Sequence, residues 1–140
     1  MLTSAGSPIQ VRNAILLLWA SFAISTLEGV IALIVPGLSE DEIGRFLWWI
    51  LAGSILILTA NVYIIYCASR RRNWARIVLL VMALFLWGLV LGSHVMWPTE
   101  WGEEDWWSNA TSAACAIMEV IAFYWLFTGA GARWYASKEA

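Results

Sequence analysis

The chain has 140 residues, of which 61% are hydrophobic and 13% are charged, and its net charge is −2. Soluble globular domains are about half apolar and about a quarter charged, so this composition excludes an ordinary soluble domain. It predicts a single all-α domain over residues 1–140 that is integral to a membrane, and the small net charge excludes a nucleic-acid partner.

Four apolar stretches are each long enough to cross about 30 Å of hydrocarbon as a helix. These predicted spans are residues 14–35, 46–68, 77–97 and 110–132. Pro36 follows the first span and Pro98 follows the third, and proline ends helices because it lacks an amide hydrogen. The loops are short, so consecutive helices should be antiparallel neighbours. The predicted fold is therefore a four-helix antiparallel membrane bundle.

The basic residues predict the orientation of these spans. Seven of the eight lie before the first span, between the second and third, or after the fourth. The middle loop holds the cluster Arg70, Arg71, Arg72 and Arg76. Short basic loops stay in the cytoplasm, which predicts that both termini are cytoplasmic. No signal-peptide cleavage pattern is found, so we expect no cleaved leader. We also expect a multi-pass protein of a bacterial inner (cytoplasmic) membrane. The same arginines are candidate ligands of lipid headgroups in the bilayer.

The chain is rich in tryptophan, with eleven residues, most of them near the predicted membrane boundaries. Amphipathic indole rings prefer the headgroup region, which accounts for most of these positions. The acidic loop at the predicted outer side carries Trp101, Trp106 and Trp107. Exposed aromatic rings are frequent anchors of interfaces, so these three are candidates for docking a partner. The alternative is that this loop lies flat on the membrane.

Glu28 and Glu119 are the only formally charged residues within the predicted spans. An ionisable group in hydrocarbon costs several kcal/mol unless it is paired or neutralised, so both are candidates for a proton or cation site. Helical spacing adds Ser25 and Ser112 to the same faces. Helical rise places the two carboxyls about 10 and 14 Å from the outer ends of their spans, which predicts that they meet and share a proton. The alternative is that each one only holds helices together through hydrogen bonds.

Three other groups of polar or small residues lie within the spans. His94 is about 7–11 Å shallower than the glutamates, where it is a solvated boundary residue, a metal ligand or a proton-exit group. Joint metal ligation with the glutamates would need long side chains or helix tilt, and no complete metal site is predicted. Ser54 and Asn61 share a helix face suited to interhelical hydrogen bonds. Gly88 and Gly92 form a G-x-x-x-G pattern that permits close approach of a helix.

Known small membrane enzymes do not fit these residues. One histidine cannot provide paired axial haem ligands, and Cys67 and Cys115 form neither a CxxC motif nor a Cys/His cluster. His94 is too shallow to act as the base for a buried serine. The prediction is a chain without enzymatic activity and without a cofactor.

Short motifs at the helix ends resemble those of one group of proteins. They are VRNA at 11–14 before LLLWAS at 16–21, RNWAR at 72–76, and LFT at 126–128 before RWY at 133–135. In these motifs the chain resembles a broad group of small uncharacterised bacterial four-helix inner-membrane proteins. The resemblance implies a four-helix membrane fold and carries no activity.

Two functional hypotheses follow. The favoured one is a non-enzymatic inner-membrane protein that acts through helix packing, as a homo-oligomer or as an accessory subunit with other membrane proteins. The alternative is a small proton-coupled transporter or cation-binding protein that uses Glu28 and Glu119. The small multidrug transporters are similar in length and also place a glutamate in the first helix, but this chain differs in its acidic outer loop and second buried glutamate.

Overall fold

The computed structural model describes residues 7–34, 40–96 and 106–137, and these residues form five helices. The helices are α1 (Ile9–Ile34), α2 (Glu40–Ser69), α3 (Asn73–Met96), α4 (Trp106–Phe127) and α5 (Gly129–Ala136). The prediction of an all-helical chain is confirmed. Three described stretches are long and apolar enough to cross a membrane: Ile9–Ile31, Ala52–Ser69 and Trp106–Phe127. The described apolar part of α3, Asn73–Leu89, is shorter.

The helices pack mainly as two pairs, α1 with α4 and α2 with α3. The buried core is concentrated at one end of the molecule, where α1 and α3 begin and α2 and α4 end. Its members are Val11, Ala14, Ile15, Leu18, Ile64, Ile65, Cys67, Ala68, Ala75, Leu79, Ala83, Ala122, Phe123, Leu126 and Tyr135. Alanines alternate with larger side chains in this set, which lets the helix backbones approach closely.

The fourth predicted span, 110–132, is corrected by the structure. Helix α4 ends at Phe127, and the following residues turn into the separate helix α5. The turn needs glycine: Gly129 has a φ of 54°, and a Cβ on Gly131 would lie 2.0 Å from the carbonyl oxygen of Trp125. The apolar run continues across the turn because Gly129-Ala130-Gly131-Ala132 contains no charge. Hydropathy therefore extends the helix where the backbone breaks it.

A tight turn joins α2 to α3 through the predicted arginine cluster. The amide of Arg72 donates to the carbonyl of Cys67, and the amide of Arg71 donates to that of Ala68, both at 3.1 Å. These bonds satisfy the last carbonyls of α2 in the pattern that usually has glycine in the left-handed position. Here Arg71 takes that position with a φ of 64°, at a cost of about 1 kcal/mol.

The side chains of Arg71 and Arg76 fasten α5 to this turn. Arg71 donates to the carbonyl of Trp134 and to the hydroxyl of Ser137. Arg76 donates to the carbonyl of Leu126 at 3.0 Å. Its guanidinium carbon lies 4.7 Å from the centre of the Tyr135 ring, a cation–π distance. We call Arg71, Arg76 and α5 together the basic-end contact.

Tyr135, a residue of α5, joins the basic-end contact to the end of α2. It is fully buried, and its hydroxyl donates to the carbonyl of Ala68 at 2.7 Å. Burial raises the pKa of Tyr135 to about 12, and the nearby Arg76 charge offsets part of that rise. The neutral phenol is therefore the form that the fold stabilises.

The turn into α5 predicts that Gly131→Ala destabilises the protein. The added methyl group collides with backbone, which cannot move as freely as the end of a side chain, so we expect a loss of about 1–3 kcal/mol. Gly29→Ala is the matched control because a Cβ there meets no atom within 4 Å. Thermal unfolding in detergent micelles should give a lower midpoint for Gly131→Ala and an unchanged or higher one for the control. Equal midpoints would contradict the tight turn.

The raised pKa of Tyr135 predicts a loss of stability at alkaline pH. In the unfolded chain the phenol ionises near its ordinary pKa of 10.0, whereas in the fold it ionises at about 12. The contribution of at most about 3 kcal/mol is present below pH 10 and disappears between about pH 10 and pH 12. Tyr135→Phe lacks the ionising group and should lose less stability across this window. Chemical unfolding at both ends of the window measures the difference, and parallel losses would refute the assignment.

Candidate functional site

Glu28 and Glu119 are half-buried at the interface between α1 and α4, and each is bonded to a hydroxyl of the other helix. Ser21 Oγ donates to Glu119 Oε1 at 2.8 Å. Thr111 Oγ1 donates to Glu28 Oε1, also at 2.8 Å. Glu28, which is later in α1 than Ser21, is thus paired with the residue that is earlier in α4. This pairing shows that the two helices are antiparallel. Bonds to charged or acidic partners are among the stronger ones, so these two contacts help to fix the register.

A sulfur-centred contact lies between these two hydrogen bonds. Ser25 Oγ is 3.6 Å from Cys115 Sγ, to which it donates. The Cys115 thiol in turn approaches the carbonyl oxygen of Ser21 at 3.8 Å. Cys115 and Cys67 are both buried free thiols, as the sequence predicts. The polar groups of this interface therefore form a continuous row along α1.

The prediction that the two carboxyls meet is wrong. Glu28 is level with Thr111 and Glu119 is level with Ser21, so the carboxyls are separated by about seven residues of helix, or about 10 Å. The depth estimate treated the predicted outer ends of the two spans as level. The observed pairing displaces α4 along α1 by about five residues from that arrangement. Each glutamate consequently has its own surroundings.

A partly open cavity of about 220 Å³ lies among the four long helices, and Glu119 forms part of its wall. Its other polar residues are Ser25, Thr26 and Asn61. The apolar lining consists of Leu18, Phe22, Leu58, Ile65, Leu79, Met82, Ala83, Leu86 and Phe123. Glu119 is the one charged residue in this lining, so it sets the charge of the cavity.

The polar side chains of the cavity have spare hydrogen-bonding capacity. In the described part of the chain, the Glu119 carboxyl receives one hydrogen bond, from Ser21, whereas a carboxylate accepts about four. Asn61 donates to the carbonyl of Ile57 in its own helix at 3.0 Å, and not to another helix as predicted. Its amide oxygen stays available as an acceptor. The cavity can therefore offer the Glu119 carboxylate and neutral oxygen atoms, either as acceptors to a hydrogen-bond donor or as ligands to a cation.

Only some of the predicted site residues belong to this cavity. Ser25 lines it, whereas Glu28 does not, and Ser112 is exposed on α4 outside it. His94 belongs to α3, but its side chain lies outside the described part of the structure. Among residues 7–34, 40–96 and 106–137, no three histidine, cysteine or carboxylate side chains are placed to hold a metal ion.

Sequence reasoning missed Thr111 as the partner of Glu28. Thr111 precedes Cys115 by four residues and Glu119 by eight, so it extends the polar face of α4. That spacing was the available signal.

The arginine cluster is divided between two roles. Arg71 and Arg76 are turned into the basic-end contact, whereas Arg70 and Arg72 are exposed. The guanidinium carbon of Arg70 lies 5.1 Å from the ring centre of Tyr66, in the last turn of α2. Arg70 and Arg72 are therefore the members of the predicted cluster whose side chains are exposed.

The candidate docking residues are described in part. Trp106 and Trp107 open α4 with 65% and 63% of their surfaces exposed, and their rings meet edge to face at 5.6 Å. Trp101 lies outside the described residues. A Cβ added at Gly88 or Gly92 would meet no atom within 4 Å, so no helix within the described structure packs closely on their G-x-x-x-G pattern.

Comparison with known proteins gives no match to a protein family, to a curated protein or to a solved structure. The function is therefore inferred from the geometry of the site.

The observed register predicts that Ser25→Cys forms a disulfide with native Cys115 when a mild added oxidant takes up the two electrons and two protons of the thiols. The Ser25 oxygen is 3.6 Å from the Cys115 sulfur, so a small rotation brings two sulfurs to bonding distance. If the carboxyls were level, Cys115 would be about seven residues along the helix and out of reach. The bond is measured as the loss of labelling at the two paired thiols and as a decrease in intact mass by two hydrogens.

Two variants control this experiment. Thr26→Cys places the thiol on the next residue of α1, turned about 100° around the helix. Ser25→Cys in a Cys115→Ser background removes the partner sulfur. Efficient bonding by Thr26→Cys, or none by Ser25→Cys, would refute the register.

Proposed function

We propose that the chain is a multi-pass protein of a bacterial inner membrane, with the four long helices as an antiparallel bundle and both termini cytoplasmic. The outward faces of the helices support this, since large apolar side chains such as Leu27, Leu56 and Phe85 are 61%, 71% and 64% exposed. Apolar surface of this extent is unfavourable in water and natural in lipid. The basic residues gathered at one end agree with cytoplasmic termini.

Within that membrane, we infer a non-enzymatic protein that binds and releases a proton or a monovalent cation at Glu119. The observation that carries this inference is the position of Glu119 in the wall of a mainly apolar cavity. A bare carboxylate in such surroundings costs several kcal/mol, so the group holds either a proton or a cation. Exchange between these two states is the elementary step of proton-coupled transport. Glu28 takes no part in the exchange, because it lies outside the cavity.

The second candidate is a homo-oligomer or an accessory subunit that acts through helix packing. The exposed ring pair Trp106 and Trp107 favours it, because such rings are frequent interface anchors. Glu28 and Glu119 would then serve only to join α1 to α4. A glutamine can still accept the hydrogen bond from Ser21, so this role survives a neutral replacement of Glu119.

Replacement of Glu119 by glutamine separates the two candidates. We expect purified protein in lipid vesicles to carry protons or monovalent cations, and Glu119→Gln to lower the rate at least about tenfold because the exchangeable charge is lost. Flux is measured with a pH-sensitive dye inside the vesicles, under imposed pH and cation gradients.

Glu28→Gln is the matched control for this measurement. It removes the other half-buried carboxyl of the same interface but leaves the cavity unchanged, so its flux should stay close to that of the original chain. Equal flux in the original chain and Glu119→Gln would reject the proton or cation role and favour packing. Loss of flux in both variants to the same degree would reject the assignment to Glu119 alone.

A further inference from the structure

Building on the function proposed above, we propose that the Glu119 cavity binds a monovalent organic cation, a compact ammonium ion with an apolar body, in exchange for a proton. The charge, the lining and the size of the cavity each limit the kind of ligand that it can bind.

The charge of the cavity matches one positive charge. Glu119 is the single charged residue among the lining side chains. A divalent ion such as Ca²⁺ takes about six to eight oxygen ligands, usually including several carboxylates, and no such cluster occurs in the described part of the chain. With one carboxylate, a monovalent cation gives a neutral pair, and a divalent ion would leave an uncompensated charge in an apolar wall.

The lining favours an organic body over a bare inorganic ion. Nine of the thirteen lining residues are apolar, and the Thr26 hydroxyl already donates to the carbonyl of Phe22 in its own helix. A metal ion that entered would lose its water shell without gaining enough oxygen ligands in return. An ammonium ion with a hydrocarbon body loses less hydration, and its body gains contact with the apolar wall. The rings of Phe22 and Phe123 in the same wall add a cation–π attraction.

The volume limits how much of a ligand the cavity can enclose. The cavity measures about 220 Å³, and since a water molecule occupies roughly 30 Å³ in the liquid, it has room for about seven water-sized groups. An ion of about eight non-hydrogen atoms, such as benzylammonium, fits this space. It also presents both features that the wall recognises, an ammonium group for Glu119 and a flat apolar body for the aromatic side chains.

The exchange is balanced in atoms and charge. When the cation enters, the O–H bond of the Glu119 carboxylic acid breaks and its proton leaves to water. The resulting carboxylate pairs with the ammonium group, and no covalent bond to the ligand forms. The cavity is neutral before and after, so neither state requires a bare charge in apolar surroundings.

Calorimetric titration of the full chain in detergent micelles tests this proposal, with benzylammonium chloride as the probe. We expect saturable binding with release of about one proton per cation, read from the heats in two buffers of different ionisation enthalpy. Glu119→Gln should weaken binding at least about tenfold through loss of the ion pair. Glu28→Gln should bind like the original chain. Benzyl alcohol has the same ring without the charge and should bind much more weakly.

Several outcomes would overturn the proposal. Equal binding of benzyl alcohol and benzylammonium to the original chain would show a merely apolar cavity, and this comparison holds even if Glu119→Gln fails to fold. Binding of sodium with proton release, but not of benzylammonium, would overturn the organic class and leave the cation function standing. Absence of binding by either ion, together with vesicle flux unaffected by Glu119→Gln, would reject both the ligand and the function.

Discussion

The hydrogen bond from Ser21 to Glu119 helps to fix the register of α1 against α4, the most extensive helix pair of the fold. A carboxyl group on an apolar helix requires a partner, and the nearest hydroxyl across the interface provides it. Once this bond is made, the antiparallel register brings Thr111 to Glu28 without further adjustment. The polar groups of α1 and α4 then face each other, and the large apolar side chains are left on the outward surfaces. One satisfied polar pair thus determines which faces of these helices are inside.

The basic-end contact supplies hydrogen-bond donors to backbone carbonyls, as Ser21 supplies one to the Glu119 carboxyl. A helix that stops leaves its last carbonyls without intrahelical partners, and two helices stop at this end, α2 and α4. Arg76 supplies a donor to the carbonyl of Leu126 in α4, and Tyr135 supplies one to the carbonyl of Ala68 in α2. The tightly packed core lies around these contacts, whereas the cavity lies farther along the helices. The molecule is therefore closed by side-chain donors at one end and can stay open in its middle.

The sequence was sufficient to predict the helices, since long uncharged apolar runs have few alternatives, but it did not predict their register or the end of α4. Register depends on which hydroxyl reaches which carboxyl across the interface, and the spacing within one helix contains no information about the offset of its neighbour. The end of α4 depends on the backbone angles at Gly129 and on the close approach at Gly131, to which hydropathy is insensitive. The inward positions of Arg71 and Arg76 follow from that missed turn. Arg71 donates to α5, and Arg76 donates to the last turn of α4 and lies against the Tyr135 ring of α5.

The separation of the two glutamates has a chemical consequence. Two carboxyls in contact would share one proton and hold it tightly, and together they would suit a divalent ion. The observed register places Glu119 in the cavity and ties Glu28 to a hydroxyl outside it. Thr111 also has the carbonyls of Trp107 and Ser108 within hydrogen-bonding distance, so its hydroxyl is held within its own helix as well as across the interface. Because Glu28 lies outside the cavity, Glu119 alone sets the charge of any ligand there.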